Sequence, residues 1–224
     1  PDKGSVDELI EIAKSESDEP KRIKYSVVYT TLELAAADKP RLRTVLEDLL
    51  AYYEQTQNSD EYYKTLNKLL EIAPKSEVYQ FKKGVIAFNK QDYYAAFEAF
   101  NAVLAISPAY QGLSAYLGEA AFQISKFEVA APQLEKAAGL AAQKDKAKLY
   151  SSAAKSFEAI GNDAKGAECF EAVLKIEEKN SEAVNRLVPI YERLKNKIRL
   201  QSLYAIQLEQ SGGKDVAILA KQAG

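Results

Sequence analysis

Apolar residues recur along this chain at steps of three and four, the spacing of one helix face. Val6, Leu9, Ile10 and Ala13 place a helix over Val6 to Lys14. Pro20, suited to a first turn after Asp18 and Glu19, opens a second helix that reads through to Ala37. From residue 43 onward the helices come in pairs. In residues 77–110 a first helix carries Gly84 and Ala87, a turn falls at Lys90-Gln91-Asp92-Tyr93, and a second helix carries Ala96, Phe100 and Val103 before Pro108. A mid-helix glycine costs about 1 kcal/mol relative to alanine. Gly84 therefore predicts a neighbour, Ala96 or Phe100, that approaches too closely for a side chain.

The pairs repeat. Gly84 and Gly118, Phe88 and Phe122, and Pro74 and Pro108 each lie 34 residues apart. That period predicts stacked helix hairpins, each burying its face only against a neighbour. Through Gly84, Ala96, Phe100 and Pro108, and then Gly118, Ala121, Phe127, Ala130, Leu134 and Ala137, the chain resembles the tetratricopeptide-repeat family. Residues 43–76 fit through Leu49, Tyr53, Leu66, Leu70 and Pro74. Residues 147–180 fit through Ala154, Phe157, Gly161, Phe170, Val173 and Leu174, displaced two residues by an insertion around Ala142-Gln143-Lys144-Asp145. Residues 181–208 form a degenerate unit with Leu187, Tyr191 and Tyr204. The family's usual tryptophan is replaced by Gln80 or Ser114, and Gly166 stands where a central alanine is expected.

The resemblance implies an all-α, right-handed superhelical solenoid of antiparallel hairpins, with about five to six repeats including degenerate ends. On this basis residues 43–210 are the repeats, and residues 1–42 a degenerate repeat or cap. Ser211-Gly212-Gly213 ends a helix, and Lys214 to Gln222, with Val216, Ile218 and Leu219, reads as a capping helix or a tail. Pro189, inside the first helix of the last unit, removes a backbone donor and is expected to kink or loosen it.

The resemblance also implies that first helices line a concave surface. Stepping along residues 77–90 gives the apolar stripe Val78, Phe81, Val85 and Phe88. One repeat later the stripe is Gly112, Ala115, Glu119 and Phe122, and then Lys148, Ser151, Lys155 and Glu158. Flanking repeats offer Glu47 and Glu54 on one side, Glu182 and Glu192 on the other. Exposing Phe81, Val85 and Phe88 would forgo about 1.5–3 kcal/mol each, so a neighbouring helix or a ligand should cover them. Two readings follow: core packing between repeats, or a pocket of Phe81, Val85, Phe88 and Phe122 for a peptide or partner helix, with Lys148 and Lys155 steering acidic groups.

Composition narrows the function. Thirty basic residues against 32 acidic give a net charge of −2, with no basic block suited to a nucleic-acid backbone. No run of 18 apolar residues could span a bilayer. The chain lacks histidine, so a histidine-based acyl-transfer triad is excluded. Zinc coordination has no support, and Cys169, between Glu168 and Phe170, reads as a space-filling residue. No glycine-rich phosphate loop occurs; Ser211-Gly212-Gly213-Lys214 is too short and follows no strand. Neither a catalytic constellation nor a cofactor or metal site is expected. The carboxylate-clamp subtype that grips chaperone tails is disfavoured, because Phe81, Val85 and Glu119 stand where Lys, Asn and Arg would be needed. What remains is a non-enzymatic adaptor binding a protein or peptide, or alternatively a scaffold that self-associates through the apolar stripe or end helices. Pro1 in place of methionine fits a removed leader, a larger parent protein or a trimmed chain, which leaves the compartment open as cytoplasmic or extracytoplasmic.

Overall fold

The computed structural model describes residues 2–32 and 37–210. The described residues form twelve α-helices and no strand. They run α1 (Lys3–Ser15), α2 (Glu19–Tyr29), α3 (Lys39–Gln55), α4 (Ser59–Ile72), α5 (Glu77–Asn89), α6 (Tyr93–Ile106), α7 (Leu113–Gln123), α8 (Phe127–Leu140), α9 (Gln143–Ala159), α10 (Asp163–Ile176), α11 (Ser181–Arg193) and α12 (Lys197–Gln210). The architecture is the expected all-α array of helix hairpins. Residues 211–224, read above as a helix stop followed by a cap or tail, and residues 33–36 of the second predicted helix lie outside the described residues.

Six hairpin turns share one backbone device. Each holds a residue in the left-handed region: Ser17, Gln57, Gln91, Ser125, Gly161 and Lys195, with φ of 57°, 55°, 61°, 58°, 74° and 54°. The next residue's amide reaches back to a carbonyl five residues earlier, as in Asp92 N to Ala87 O at 2.9 Å and Asn162 N to Phe157 O at 2.9 Å, closing the preceding helix in a Schellman-type wrap. In five of the six turns that same residue caps the following helix, its side-chain oxygen accepting the amide three residues on: Asp18, Asn58, Asp92, Asn162 and Asn196. Lys126 fills the sixth place and makes no such bond. The turn positions 57, 91 and 125 keep the 34-residue period, whereas 125 to 161 spans 36 residues, so the insertion falls where the sequence placed it.

Two compact units result, one of Pro1–Ile86 with Ala102–Pro108, the other of Ala87–Asn101 with Ala109–Gly224. In the first, α1 packs on α2, α2 on α3 and α3 on α4. Val6, Ile10, Ile23, Tyr29, Val45, Leu49 and Tyr53 form one core cluster, and Leu46, Leu50, Leu66, Leu69 and Tyr79 another. Long polar side chains seal it: Arg41 donates to Asp7 from Nε at 2.7 Å and to Glu11 at 2.6 Å, and Lys82 bonds Glu54 at 3.0 Å. α2 stops at Tyr29 rather than Ala37. The hydroxyls of Thr30 and Thr31 donate back to the carbonyls of Val27 and Val28 at 2.9 and 2.7 Å, competing with continuation of the helix.

In the second unit, successive helices from α7 to α12 pack pairwise through small residues. Ala120, Ala121, Ala130, Ala131, Ala138, Ala153 and Ala154 are fully buried, and the larger Leu117, Leu134, Phe170 and Leu187 fill between them. A methyl added at Gly118 would lie 2.8 Å from Leu134 Cγ and 3.0 Å from its backbone nitrogen, so α7 and α8 meet where no side chain fits. An ion pair recurs at equivalent positions of second helices: Glu135 of α8 with Lys165 of α10 at 3.0 Å, and Glu171 of α10 with Arg199 of α12. α11 runs unbroken through Pro189, as α8 does through Pro132.

Candidate functional site

An open cavity of about 1290 Å³ lies within the second unit. Three first helices contribute to it: Phe88 near the end of α5, Ala115, Tyr116 and Glu119 of α7, and Asp145, Lys148 and Leu149 of α9. Tyr93, Tyr110, Lys136 and Leu140 line it from α6, the loop before α7, and α8. The aromatic wall is held by edge-on contacts, Phe88 to Tyr93 at 5.4 Å and Phe88 to Tyr116 at 5.3 Å between ring centroids, with Tyr116 resting on the fully buried Phe100 at 5.6 Å. The rings brace one another across the wall. Leu140 stands at the lip with 80% of its surface exposed.

The segment around the insertion lines part of this space. α9 has 17 residues, against 11 in α7 and 13 in α11. Its additional first turn, with Ala141 and Ala142 before it, supplies one wall, and residues 109–112 supply another. Gly112, at φ 79°, makes the turn from that loop into α7.

Of the eight residues singled out in the sequence, the cavity gathers Phe88, Glu119 and Lys148. Glu119 accepts a bond from Gln123 at 2.8 Å. Phe122 is half-buried and packs on Phe127 at 5.9 Å, outside the lining. Lys155 is tied to Glu182 at 2.6 Å, and that bond holds the Glu182 carboxyl below its usual range. Val78, Phe81 and Val85 belong to the first unit, Val78 exposed and the other two half-buried. Sequence stepping missed Tyr93, Tyr110 and Tyr116: a single stripe per helix passes beside Tyr116, and the other two sit at turns. An aromatic residue flanking each turn of the 77–123 stretch was the available signal.

Between α9 and α11 the facing charges satisfy one another: Ser151 and Lys155 both reach Glu182, and Arg186 reaches Glu158 at 3.5 Å. Ser156 is fully buried and donates to the Ser152 carbonyl at 2.8 Å. Cys169 is buried, and burial pushes its thiol up to about 12, which removes it as a nucleophile near neutrality. Among the described residues no cluster of acids, cysteines or histidines is suited to a metal, and no helix is long and apolar enough to cross a membrane.

No protein-family model matches the chain, and no curated protein does. Solved structures do. YrrB, a tetratricopeptide-repeat protein with an unusual peptide-binding site, aligns at 15% identity over 80% of this chain and 91% of its own, with a TM-score of 0.58. MamA aligns at 19% identity over 77% of this chain and 93% of its own, with a TM-score of 0.54. A fragment of MamA from Desulfovibrio magneticus RS-1, from residue 41 to its end, aligns at 16% identity over 77% and 97%, with a TM-score of 0.51. The fold is that of tetratricopeptide-repeat solenoids.

Proposed function

We propose that the chain is a non-enzymatic interaction module that holds a peptide or partner helix of another protein in the cavity of its second unit, as an adaptor or scaffold within a larger assembly. The observation that carries this reading is the convergence of Phe88, Ala115, Glu119 and Lys148 from three successive first helices on one open space of about 1290 Å³. Its aromatic wall, packed ring against ring, would lower the ordering cost of association. YrrB, alike in fold, has a peptide-binding site, which agrees with this use of the architecture.

Ala115→Arg tests it. Ala115 is half-buried on the cavity wall, so a long side chain there fills the space without crossing the core. A protein captured by the wild type should be lost by the variant while circular dichroism stays unchanged. Capture undiminished by A115R would reject the cavity as the binding surface. The original stripe is a poorer target, because Phe88 also braces Tyr93 and Tyr116.

A self-associating scaffold is the second reading. It draws support from the last described hairpin, where Ile198 is 78% and Leu194 44% exposed. Sedimentation that depends on concentration, and ceases to do so in Ile198→Glu, would favour it.

A further inference from the structure

The charged residues lining the cavity are two lysines, Lys136 and Lys148, and two carboxylates, Glu119 and Asp145, and, among the described residues, a run of cations without ion pairs lies beside it at the start of α9. Elsewhere in the first helices several cations are matched within the chain: Arg43 with Glu47, Lys82 with Glu54, Arg186 with Glu158 and, further along α9 itself, Lys155 with Glu182. The start of α9 is different. Lys144, Lys146 and Lys148 occupy its first two turns with only Asp145 among them, and among the described residues none of the three makes an ion pair. Lys148 lines the cavity, and Lys144, four residues earlier, shares its face. Ala115, Tyr116 and Leu140 line the same space with a third lysine, Lys136; its carboxylates are Asp145 and Glu119, the latter accepting a bond from Gln123 that leaves its charge in place.

We infer that the occupant is an acidic peptide segment, its aliphatic or aromatic side chain seated between Tyr116 and Leu140 and its flanking carboxylates facing Lys144 and Lys148. This rests on the cavity being the binding site, and it assigns the partner's chemistry. An internal acidic segment suffices, because the lysines sit at the rim and do not enclose a chain end. Specificity thus resides in the inserted turn of α9: its two extra residues lengthen the wall, and its unmatched lysines select the charge.

The test uses the full chain and three end-blocked peptides sharing a Leu-Tyr-Leu core, flanked by pairs of Asp, Asn or Lys. Binding is followed through the backbone amide resonances of residues 113–119 and 143–149, at peptide concentrations up to about 1 mM, the weak end of useful affinity. The Asp-flanked peptide should bind about ten-fold or more tightly than the Asn-flanked one, as a charge-assisted contact would give. That margin should shrink as salt is raised, and K144E/K148E should reverse the preference toward the Lys-flanked peptide. If all three peptides bind alike at these amides, the acidic preference is wrong and the cavity reading survives. If none perturbs them, both fail.

Discussion

Two neighbouring hairpins of the second unit, α7–α8 and α9–α10, follow one plan with their glycines exchanged. In α7–α8 the glycine lies at the helix contact, Gly118, and the left-handed turn position is taken by Ser125, followed by the non-capping Lys126. In α9–α10 the turn position is Gly161, followed by Asn162, which caps α10 through Lys165 N at 3.2 Å. That second hairpin also carries a buried glycine, Gly166, but a methyl there would lie 3.5 Å from the nearest atom, the Ala154 carbonyl oxygen. One hairpin uses glycine for proximity and accepts a strained, uncapped turn; the other uses it for the turn and leaves space at the contact.

The largest effect should come from removing the proximity. In Gly118→Ala the new methyl meets both the side chain and the backbone of Leu134, so rotation of that side chain alone cannot relieve the overlap. Overpacking of this kind costs about 1–3 kcal/mol, even against the gain in helix propensity. Chemical denaturation should show a lower midpoint with an unchanged slope. Gly118→Ala with stability equal to the wild type would mean that the α7–α8 contact is looser than described.

The turn glycine offers a cleaner perturbation. A methyl at Gly161 would touch nothing within 4 Å, so Gly161→Ala isolates the backbone term at φ 74°. It should cost about 1 kcal/mol. The converse holds at the other turn: Lys126→Asn supplies the cap that the five sister turns possess, and should add about 1 kcal/mol. Combining Lys126→Asn with Gly161→Ala should bring the two changes close to cancellation, since they lie in separate turns.

Much of this plan was legible in the residues. The 34-residue phase, the two-residue insertion, the turn at Gln91 and the packing role of Cys169 all follow from side-chain type and spacing, because helix period and turn chemistry are local. The left-handed positions were harder to see, since Ser17, Gln57, Gln91, Ser125 and Lys195 are not residues that announce such a backbone. The signal was the Asp or Asn after each of them except Ser125. The site was only partly legible. Phe88, Glu119 and Lys148 each lie on the stripe stepped along their own first helix, but at three different positions of the repeat, and translating Phe88 by one repeat gives Phe122, outside the lining. Whether Lys155 is matched depends on Glu182 in the following first helix, and whether Phe122 opens to the cavity depends on Phe127 across its turn. Those are contacts between helices, which spacing along one helix does not contain.

Gly166 gives the smallest change and the sharpest distinction between the two hairpins. The family resemblance calls for alanine at this place, and the structure shows room for it: the nearest atoms to an added methyl are the Ala154 oxygen at 3.5 Å, Glu158 N at 3.7 Å and Ile190 Cδ1 at 3.8 Å, all ordinary contacts. Gly166 is helical, so alanine incurs no backbone strain and restricts the unfolded chain. Gly166→Ala should therefore stabilise by about 0.5–1 kcal/mol, opposite in sign to the same substitution at Gly118. Matched denaturation curves of the two variants would read that sign directly. Destabilisation by both would show that α9 and α10 approach as closely as α7 and α8 do, and the exchange of roles between the hairpins would fall.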